Sequence, residues 1–310
     1  MKNEIKIFSP ATVANVSCGF DVLGFALDTI GDEMIIRKVA QKGIKITKIS
    51  DQNLPLETNK NVAGVAALAL LAEININFGF EIEINKQIKP GSGIGSSAAS
   101  SAGVVWAINK LLGSPFNTTD LVRFAMEGEK LASGEAHADN VAPAIFGGFT
   151  LIRSYNPLDI IKIPTPKDLI VTIIHPQIEV KTSEARKLLS QTVSLKNATK
   201  QWANVGGLIS GLHTNDYDLI GRSLQDFVAE PVRSKLIPGF NKLKQACLEV
   251  GALGCGISGS GPSIFALSKG EEKALEVSEA MKAVYNKVEI AYDLHISKVN
   301  NKGIKILDTK

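Results

Sequence analysis

Eight residues, Pro90-Gly91-Ser92-Gly93-Ile94-Gly95-Ser96-Ser97, have the types and spacing to hold a polyphosphate. Glycines at every second position let the backbone take positive φ and come close to a ligand. The helix that follows would offer free N–H groups and the positive end of its dipole, and both favour an anion. Ser96 and Ser97 add hydroxyls that can cap the helix, bind phosphate or ligate Mg²⁺. No Gly-Lys-Ser/Thr follows, and the glycine spacing misses the dinucleotide fingerprint. Spacing alone therefore leaves a second reading open, a glycine-rich turn before an ordinary capped helix.

Two more segments are built from small residues, Pro10 to Gly24 and Gly254 to Pro262. A core does not need three such stretches, whereas a site that brings backbone against a ligand does. Glu127 and Glu129 fall near the end of a helix, where the dipole disfavours an acid. A solvated carboxylate is the simple reading of Glu129, and a functional one stays open. Gly134 to Pro143 is irregular and polar, with His137, Asp139 and Asn140.

The elements that must position these residues follow from periodicity. Phe80 to Ile88 alternates apolar with polar, a strand entering the glycine loop. Ala98 to Leu112 carries apolar residues at helical spacing and leaves it. Upstream, Glu4 to Phe8 reads as a strand, Ser9 to Gly24 as a binding loop, and Glu33 to Val39 and Ile44 to Ile49 as strands. A helix is expected from Asn61 to about Ile74, and another capped by Thr118-Thr119-Asp120 and running to about Leu131. Gly147 to Arg153 closes the first half as a strand. Prolines 157, 164 and 166 place a domain boundary within Tyr155 to Lys167, giving units 1–155 and 156–310. In the second half, strands are expected at Asp168 to His175, Ser263 to Leu267 and Val288 to Ile296. Helices are expected at Thr182 to Leu189, Lys196 to Leu212, Asp218 to Phe227, Phe240 to Val250 and Glu271 to Tyr285. Trp106 and Trp202 read as core. Strands and helices mix without strict alternation, which argues for an α+β fold.

Composition narrows the function classes. The 310 residues are 45% hydrophobic and 21% charged, enough for a sizeable core. The net charge is +3, from 34 basic and 31 acidic residues; the basic residues are dispersed and aromatics are 6%, so no nucleic-acid surface is expected. Cys18, Cys247 and Cys255 form no C-x-x-C pair and read as buried thiols of a reducing compartment. The chain opens on a strand-like run with no signal peptide, and no apolar run spans a bilayer. A cytoplasmic enzyme with no membrane partner is expected.

Together, "PGSGIGSSAAS" at Pro90 to Ser100 and "GCGISGSGPSIFAL" at Gly254 to Leu267 resemble the GHMP kinase superfamily. "SPATVANVSCGFDVLGFAL" at Ser9 to Leu27, "HADNVAP" at His137 to Pro143, "TSEAR" at Thr182 to Arg186 and "EPVRSKLIPGF" at Glu230 to Phe240 are similar to its homoserine kinase branch. One departure is small: that branch often has Pro-Leu where Lys89-Pro90 stands here.

The resemblance covers nearly the whole chain. It implies a two-domain GHMP kinase fold, with an N-terminal mixed-sheet ATP-binding domain and a C-terminal α/β sandwich of ferredoxin-like type. It implies ATP and Mg²⁺ as cofactors and transfer of the γ-phosphate to the hydroxyl of L-homoserine, in threonine biosynthesis. Two other functions stay open: a mevalonate-type small-molecule kinase, and a nucleotide-binding regulator without activity. A homodimer is plausible from the family alone. The implied nucleotide run is Pro90, Gly91, Ser92, Gly93, Ile94, Gly95, Ser96, Ser97, Ala98, Ala99 and Ser100, with Asn61 and Val62 at the adenine. Ser97 and Glu129 would hold Mg²⁺. The substrate would meet Asn15, Asp21, His137, Asn140, Thr182, Arg186, Arg233 and Gly259. An α-carboxylate suits the guanidinium forks of Arg186 and Arg233, and an α-ammonium suits Asp21. Asn140 would orient the reacting hydroxyl with no protein base, and Asp139 would be structural or electrostatic. Taken alone, Arg186 reads as a surface helix residue and His137 as an ordinary hydrogen-bonded histidine.

Overall fold

A computed structural model describes residues 3–50 and 53–307. In chain order the first half runs β1 (Glu4–Ala14), β2 (Leu23–Val39), β3 (Gly43–Ile49), α1 (Val62–Leu71), β4 (Gly79–Asn85), α2 (Ser96–Leu111), α3 (Thr118–Ser133), α4 (Val141–Phe146), β5 (Phe149–Tyr155) and β6 (Leu158–Ile163). The second half runs β7 (Leu169–Pro176), α5 (Thr182–Lys187), α6 (Leu195–Thr214), α7 (Tyr217–Ser223), α8 (Glu230–Arg233), α9 (Phe240–Glu249), β8 (Gly254–Ile257), β9 (Ile264–Lys269), α10 (Glu271–Val288), β10 (Tyr292–Lys298) and β11 (Lys305–Ile306).

The first sheet has the order β11-β1-β2-β4-β3, with β5 on β2 and β6 on β5. Its β3/β4 pair is parallel and the rest are antiparallel, so the sheet is mixed. Ile5 faces Ile36 and Ile7 faces Met34 in register, and all four are buried. The helices α1, α2 and α3 pack on one another and on this face, in a core with Phe80, Ile82, Ala102, Val105 and Phe124. The second sheet has the order β10-β7-β9-β8, all antiparallel. Counted within that half, this is fourth, first, third, second, the order of a ferredoxin-like unit. A second cluster joins the two sheets through Phe25, Phe149, Val171, Phe265 and Leu267. Phe25 and Phe149 lie with ring centroids 4.7 Å apart. A third lies under α9 and α10.

Four local expectations change. The loop expected over Ser9 to Gly24 is mostly strand, leaving only residues 15–22 as the connection between β1 and β2. Residues 9–14 are buried on both faces and small, so they lack the alternation that marks a half-buried strand. The cap of α3 is Asn117, in a reciprocal capping box with Asp120, rather than Thr118-Thr119-Asp120. The helix after Asp216 stops at Ser223. Asp226 accepts N–H bonds from Val228 (2.7 Å) and Glu230 (2.8 Å), a local alternative to helix. The prolines of 157–166 flank β6, which pairs with β5 in the first sheet. Trp202 is 58% exposed, because α6 buries Leu208, Gly211 and Leu212 instead; Trp106 does pack against the first core.

Candidate active site

The phosphate-type loop lies between β4 and α2, and a buried ion pair ties down its entry. Asp32 on β2 accepts N–H bonds from Gln87 (2.9 Å) and Ile88 (3.1 Å) and pairs with Lys86. Lys86 Nζ also donates to Ser96 O (2.9 Å) and Ser100 Oγ (3.2 Å). The chain entering the loop is thus bonded to the helix it feeds. Burial pushes the Lys86 ammonium pKa down, and Asp32 opposes that shift.

Two glycines are required by space as well as by φ. Gly93 has φ +82, and a Cβ there would lie 2.6 Å from Gly261 O. Gly95 has φ +71, and its Cβ would lie 2.1 Å from Thr12 Oγ1. Gly95 is also the N-cap of α2, and no side chain caps that end. The first-turn N–H groups are therefore left for something else. The three small-residue segments meet here. Ser258 Oγ donates to Gly93 O (2.7 Å), and Asn15 Nδ2 donates to Gly259 O (2.9 Å).

A cavity of about 540 Å³ runs from this loop to the second half of the chain. Of the expected nucleotide run, Pro90, Gly91, Gly93, Gly95, Ser96, Ser97 and Ser100 line it, as does Val62. Five expected residues are not in its wall. Asn61 is spent on α1: its Oδ1 accepts from Ala63 N and its Nδ2 donates to Pro55 O. Ser92 is buried between the two glycine loops, with Ser263 N donating to its carbonyl (3.2 Å). Ile94, Ala98 and Ala99 are core residues. Ser96 is partly committed too, since its hydroxyl donates to Ile88 O (2.8 Å).

Glu129, on α3, lies in the cavity wall with Ser97. Burial raises its carboxyl to about 7, while the Ser97 hydroxyl and the Lys86 ammonium pull it down. Its Oε1 is buried and has no protein partner. Among the described residues, no cluster of three or more His, Cys, Asp or Glu could hold a metal. A cation at Ser97 and Glu129 would take its other oxygens from phosphates and water, as Mg²⁺ does in nucleotide sites.

The far end is charged. Arg186 on α5 forks onto Asp21, with Nη2–Oδ1 at 2.8 Å and Nη1–Oδ2 at 3.0 Å, and lies 3.4 Å from Glu135. Asp21 and Arg186, expected to take opposite ends of a substrate, are thus each other's partner here. Arg233 on α8 is buried and donates from Nη1 to Gly259 O (2.9 Å). Burial, then the neighbouring Arg186, lowers its guanidinium pKa. The two guanidinium groups lie over the Phe20 ring, 5.5 Å and 5.1 Å from its centroid. Thr182 Oγ1 sits 3.1 Å from Ser260 Oγ, linking α5 to the second glycine turn. His137 Nε2 lies 2.9 Å from Glu135.

Between the two ends stand Asp139 and Asn140. Asp139 is buried, and burial together with the Asp21 charge raises its carboxyl to about 7. Asn140 Oδ1 accepts from the Thr12 hydroxyl (2.8 Å). The cavity thus offers backbone donors for phosphate, a carboxylate and hydroxyl for a cation, and paired charges for a zwitterion.

Residues 61–148 match the family described as GHMP kinases N terminal domain, and residues 208–287 match GHMP kinases C terminal. A homoserine kinase of Chlorobium phaeobacteroides (strain BS1) is 49% identical over 314 residues, 97% of this chain and 98% of that protein. The crystal structure of homoserine kinase from Cytophaga hutchinsonii ATCC 33406 matches with a TM-score of 0.95 at 54% identity, over 99% of this chain and 98% of that one. The chain belongs to the homoserine kinase family of GHMP kinases. It is an ATP-dependent kinase acting on an alcohol group. The L. major mevalonate kinase solved with R-mevalonate shares the fold, at a TM-score of 0.72 and 16% identity.

In this GHMP kinase several site-building residues escape the sequence reading. Lys86 and Asp32 are 54 positions apart; the available signal is an aspartate inside the apolar run of β2. Phe20 and Thr12 look like filler in a small-residue stretch. Tyr155 joins two site segments through its hydroxyl, which accepts from Ala138 N and donates to Asp21 O, and nothing in sequence marks it.

Proposed function

We propose that this kinase moves the γ-phosphate of ATP to the hydroxyl of L-homoserine, giving O-phospho-L-homoserine and ADP. The observation that carries this reading is the Asp21–Arg186–Arg233 charge group, in one cavity with an uncapped helix N-terminus. A zwitterion can exchange both partners of the Asp21–Arg186 pair at once, its ammonium taking Asp21 and its carboxylate taking Arg186 and Arg233. A carboxylate without an ammonium, such as mevalonate, would satisfy the arginines and strand Asp21 without a partner, which selects against it.

The first 155 residues would bind nucleotide, and residues 156–310 would supply Thr182, Arg186 and Arg233. The free N–H groups along Gly91 to Ser97, that of Ser92 being spent on Lys89 O, would hold the phosphates, and the Val62 side of the cavity would take the adenine. Ser97 and Glu129 would hold Mg²⁺, and the buried, unpartnered Oε1 of Glu129 suits a cation. When bound, Mg²⁺ neutralises charge on the β- and γ-phosphates. Asn140 would orient the homoserine hydroxyl. That oxygen forms the new bond to γ-phosphorus, the bond from phosphorus to ADP breaks, and the hydroxyl proton leaves with the transferred phosphoryl group. Asp139 would be structural or electrostatic.

The test is ADP release from MgATP with a panel of alcohols, including L-homoserine, mevalonate and a homoserine analogue lacking the amino group, with products identified by phosphorus NMR. Turnover of L-homoserine well above the others is expected. Faster turnover of mevalonate, or of the analogue lacking the amino group, would overturn the substrate.

A further inference from the structure

We propose that Thr12 is a positioning residue that fixes which end of the Asn140 side-chain amide faces the reacting hydroxyl. This rests on the reading of Asn140 as the group that orients that hydroxyl.

Thr12 sits on β1 and is fully buried. Among the described residues its hydroxyl makes one side-chain hydrogen bond, to Asn140 Oδ1 at 2.8 Å, across 128 positions of sequence. A buried hydroxyl has one hydrogen to give, and leaving it without an acceptor is costly. The amide oxygen is the acceptor within reach, so the amide cannot turn its oxygen away without stranding that hydrogen. Gly95 closes the arrangement from the phosphate-loop side. A Cβ at that position would lie 2.1 Å from Thr12 Oγ1 and 3.0 Å from Asn140 Oδ1, so both oxygens pack directly against the loop backbone.

The consequence is directional. Oδ1 is turned into the protein, toward Thr12 and Gly95. Nδ2 has no protein partner among the described hydrogen bonds, and Asn140 lines the cavity. The amide therefore offers N–H donors to a lone pair of the hydroxyl oxygen. The hydroxyl's own hydrogen stays free to point at the phosphate oxygens. A reversed amide would grip that hydrogen instead and misdirect the oxygen that attacks. Thr12 thus acts through Asn140 and need not touch the substrate.

The test uses three variants of the full chain: Thr12→Val, which keeps the shape and removes the hydroxyl, Thr12→Ser, which keeps the hydroxyl, and Asn140→Ala. Misorientation of a reacting group costs rate rather than binding. Thr12→Val is expected to lower kcat by about tenfold or more, with the KM for L-homoserine and for MgATP within about twofold of wild type. Thr12→Ser should restore most of the kcat. The double variant Thr12→Val/Asn140→Ala should be no slower than Asn140→Ala, because the two residues act as one unit. If Thr12→Val does not fold, Thr12→Ala replaces it and is read the same way. Wild-type kcat in Thr12→Val, beside a slow Asn140→Ala, would overturn the proposal. So would a Thr12→Ser as slow as Thr12→Val with MgATP affinity intact in both. Wild-type kcat in Asn140→Ala would instead overturn the underlying role of Asn140.

Discussion

At its phosphate-loop end the cavity is walled by backbone, and at its charged end by side chains. The loop end is one continuous piece of chain: β4, Gly91 to Gly95 and the uncapped start of α2. It holds its shape because a second glycine turn packs against it with almost no side-chain volume between. The charged end is assembled from Asp21, Glu135, Arg186 and Arg233, carried on four segments that meet only in the folded protein. A polyphosphate has repeated, similar oxygens, and a row of N–H groups suffices to bind it. An amino acid has two opposite charges at fixed separation, and only ionised side chains match that. The difference predicts that damage at each end should fall on a different ligand.

The largest expected effect lies at the phosphate end, at the carboxylate beside Ser97. Glu129→Gln should lower kcat by about two to three decades, since a charge placed at the phosphates acts in the transition state. Homoserine affinity should change far less, as measured by direct titration. Wild-type turnover would remove this carboxylate from the chemistry.

Gly93→Ala probes the backbone end. The new methyl has carbonyl oxygens within 3 Å on two sides, at a φ that L side chains rarely adopt. We expect a loss of about one to two decades in MgATP affinity, from strain of about 1–3 kcal/mol. Gly261 and Ser258 lie beside Gly259, whose carbonyl holds Arg233. An equal loss for homoserine would show that the glycine turns serve both ligands, and would break the comparison.

Arg186→Ala and Arg233→Ala probe the side-chain end. Each should raise the KM for homoserine by about one to two decades, the worth of a charge-assisted bond of about 1.5–3 kcal/mol. The KM for MgATP should stay near wild type in both. Arg186→Ala carries a second cost, because it leaves Asp21 without its partner in the free enzyme. Unchanged homoserine KM in both variants would sink the carboxylate role.

A pH dependence belongs to the stretch between the two ends, where Asp139 stands. The Asp139 carboxyl is raised from 3.8 to about 7 by burial and by the Asp21 charge. Between those two values the folded state holds a proton that the unfolded state has released. Asp139 therefore makes the free enzyme lose stability as pH rises through that window. The melting temperature of wild type should fall from about pH 4 toward pH 7 relative to Asp139→Asn. Parallel profiles would mean that Asp139 is ionised throughout.

The two ends also differ in how far the chain announces them. The glycines of 91–95 are visible because positive φ and close approach leave few other residue types. Glu129 is visible as an acid where the helix dipole disfavours one. The charged end was legible only through a resemblance spread over many segments, because Arg186 alone looks like any exposed arginine. What stayed hidden are the partners that depend on the fold. Asp32 and Lys86 meet because β2 and β4 are neighbours in register, with Glu33 opposite Asn85. Thr12 meets Asn140 because β1 runs on past Phe8, in an extension that lacks the alternation marking a strand. The resemblance points Asn61 at the nucleotide, but asparagine one residue before an apolar helix is also the pattern of an N-cap.

The smallest effect is expected at Tyr155, and it sharpens the comparison most. Its hydroxyl accepts from Ala138 N (3.2 Å) and donates to Asp21 O (3.1 Å). It therefore ties the segment that carries Asp21 to the segment that leads into Asp139 and Asn140. Burial raises its pKa to about 12, so the phenol stays protonated across the working range. Tyr155→Phe removes both bonds and little else, each worth about 0.5–1.5 kcal/mol. The KM for homoserine should rise by about three- to tenfold, and the melting temperature should drop by a few degrees at most. MgATP affinity should not move, because neither segment belongs to the glycine loop. If both substrates weaken equally, Tyr155 supports the fold in general and the two ends are not separable. If homoserine alone weakens, the charged end depends on a tie that touches no ligand, made at the protein surface by a residue that no motif contains.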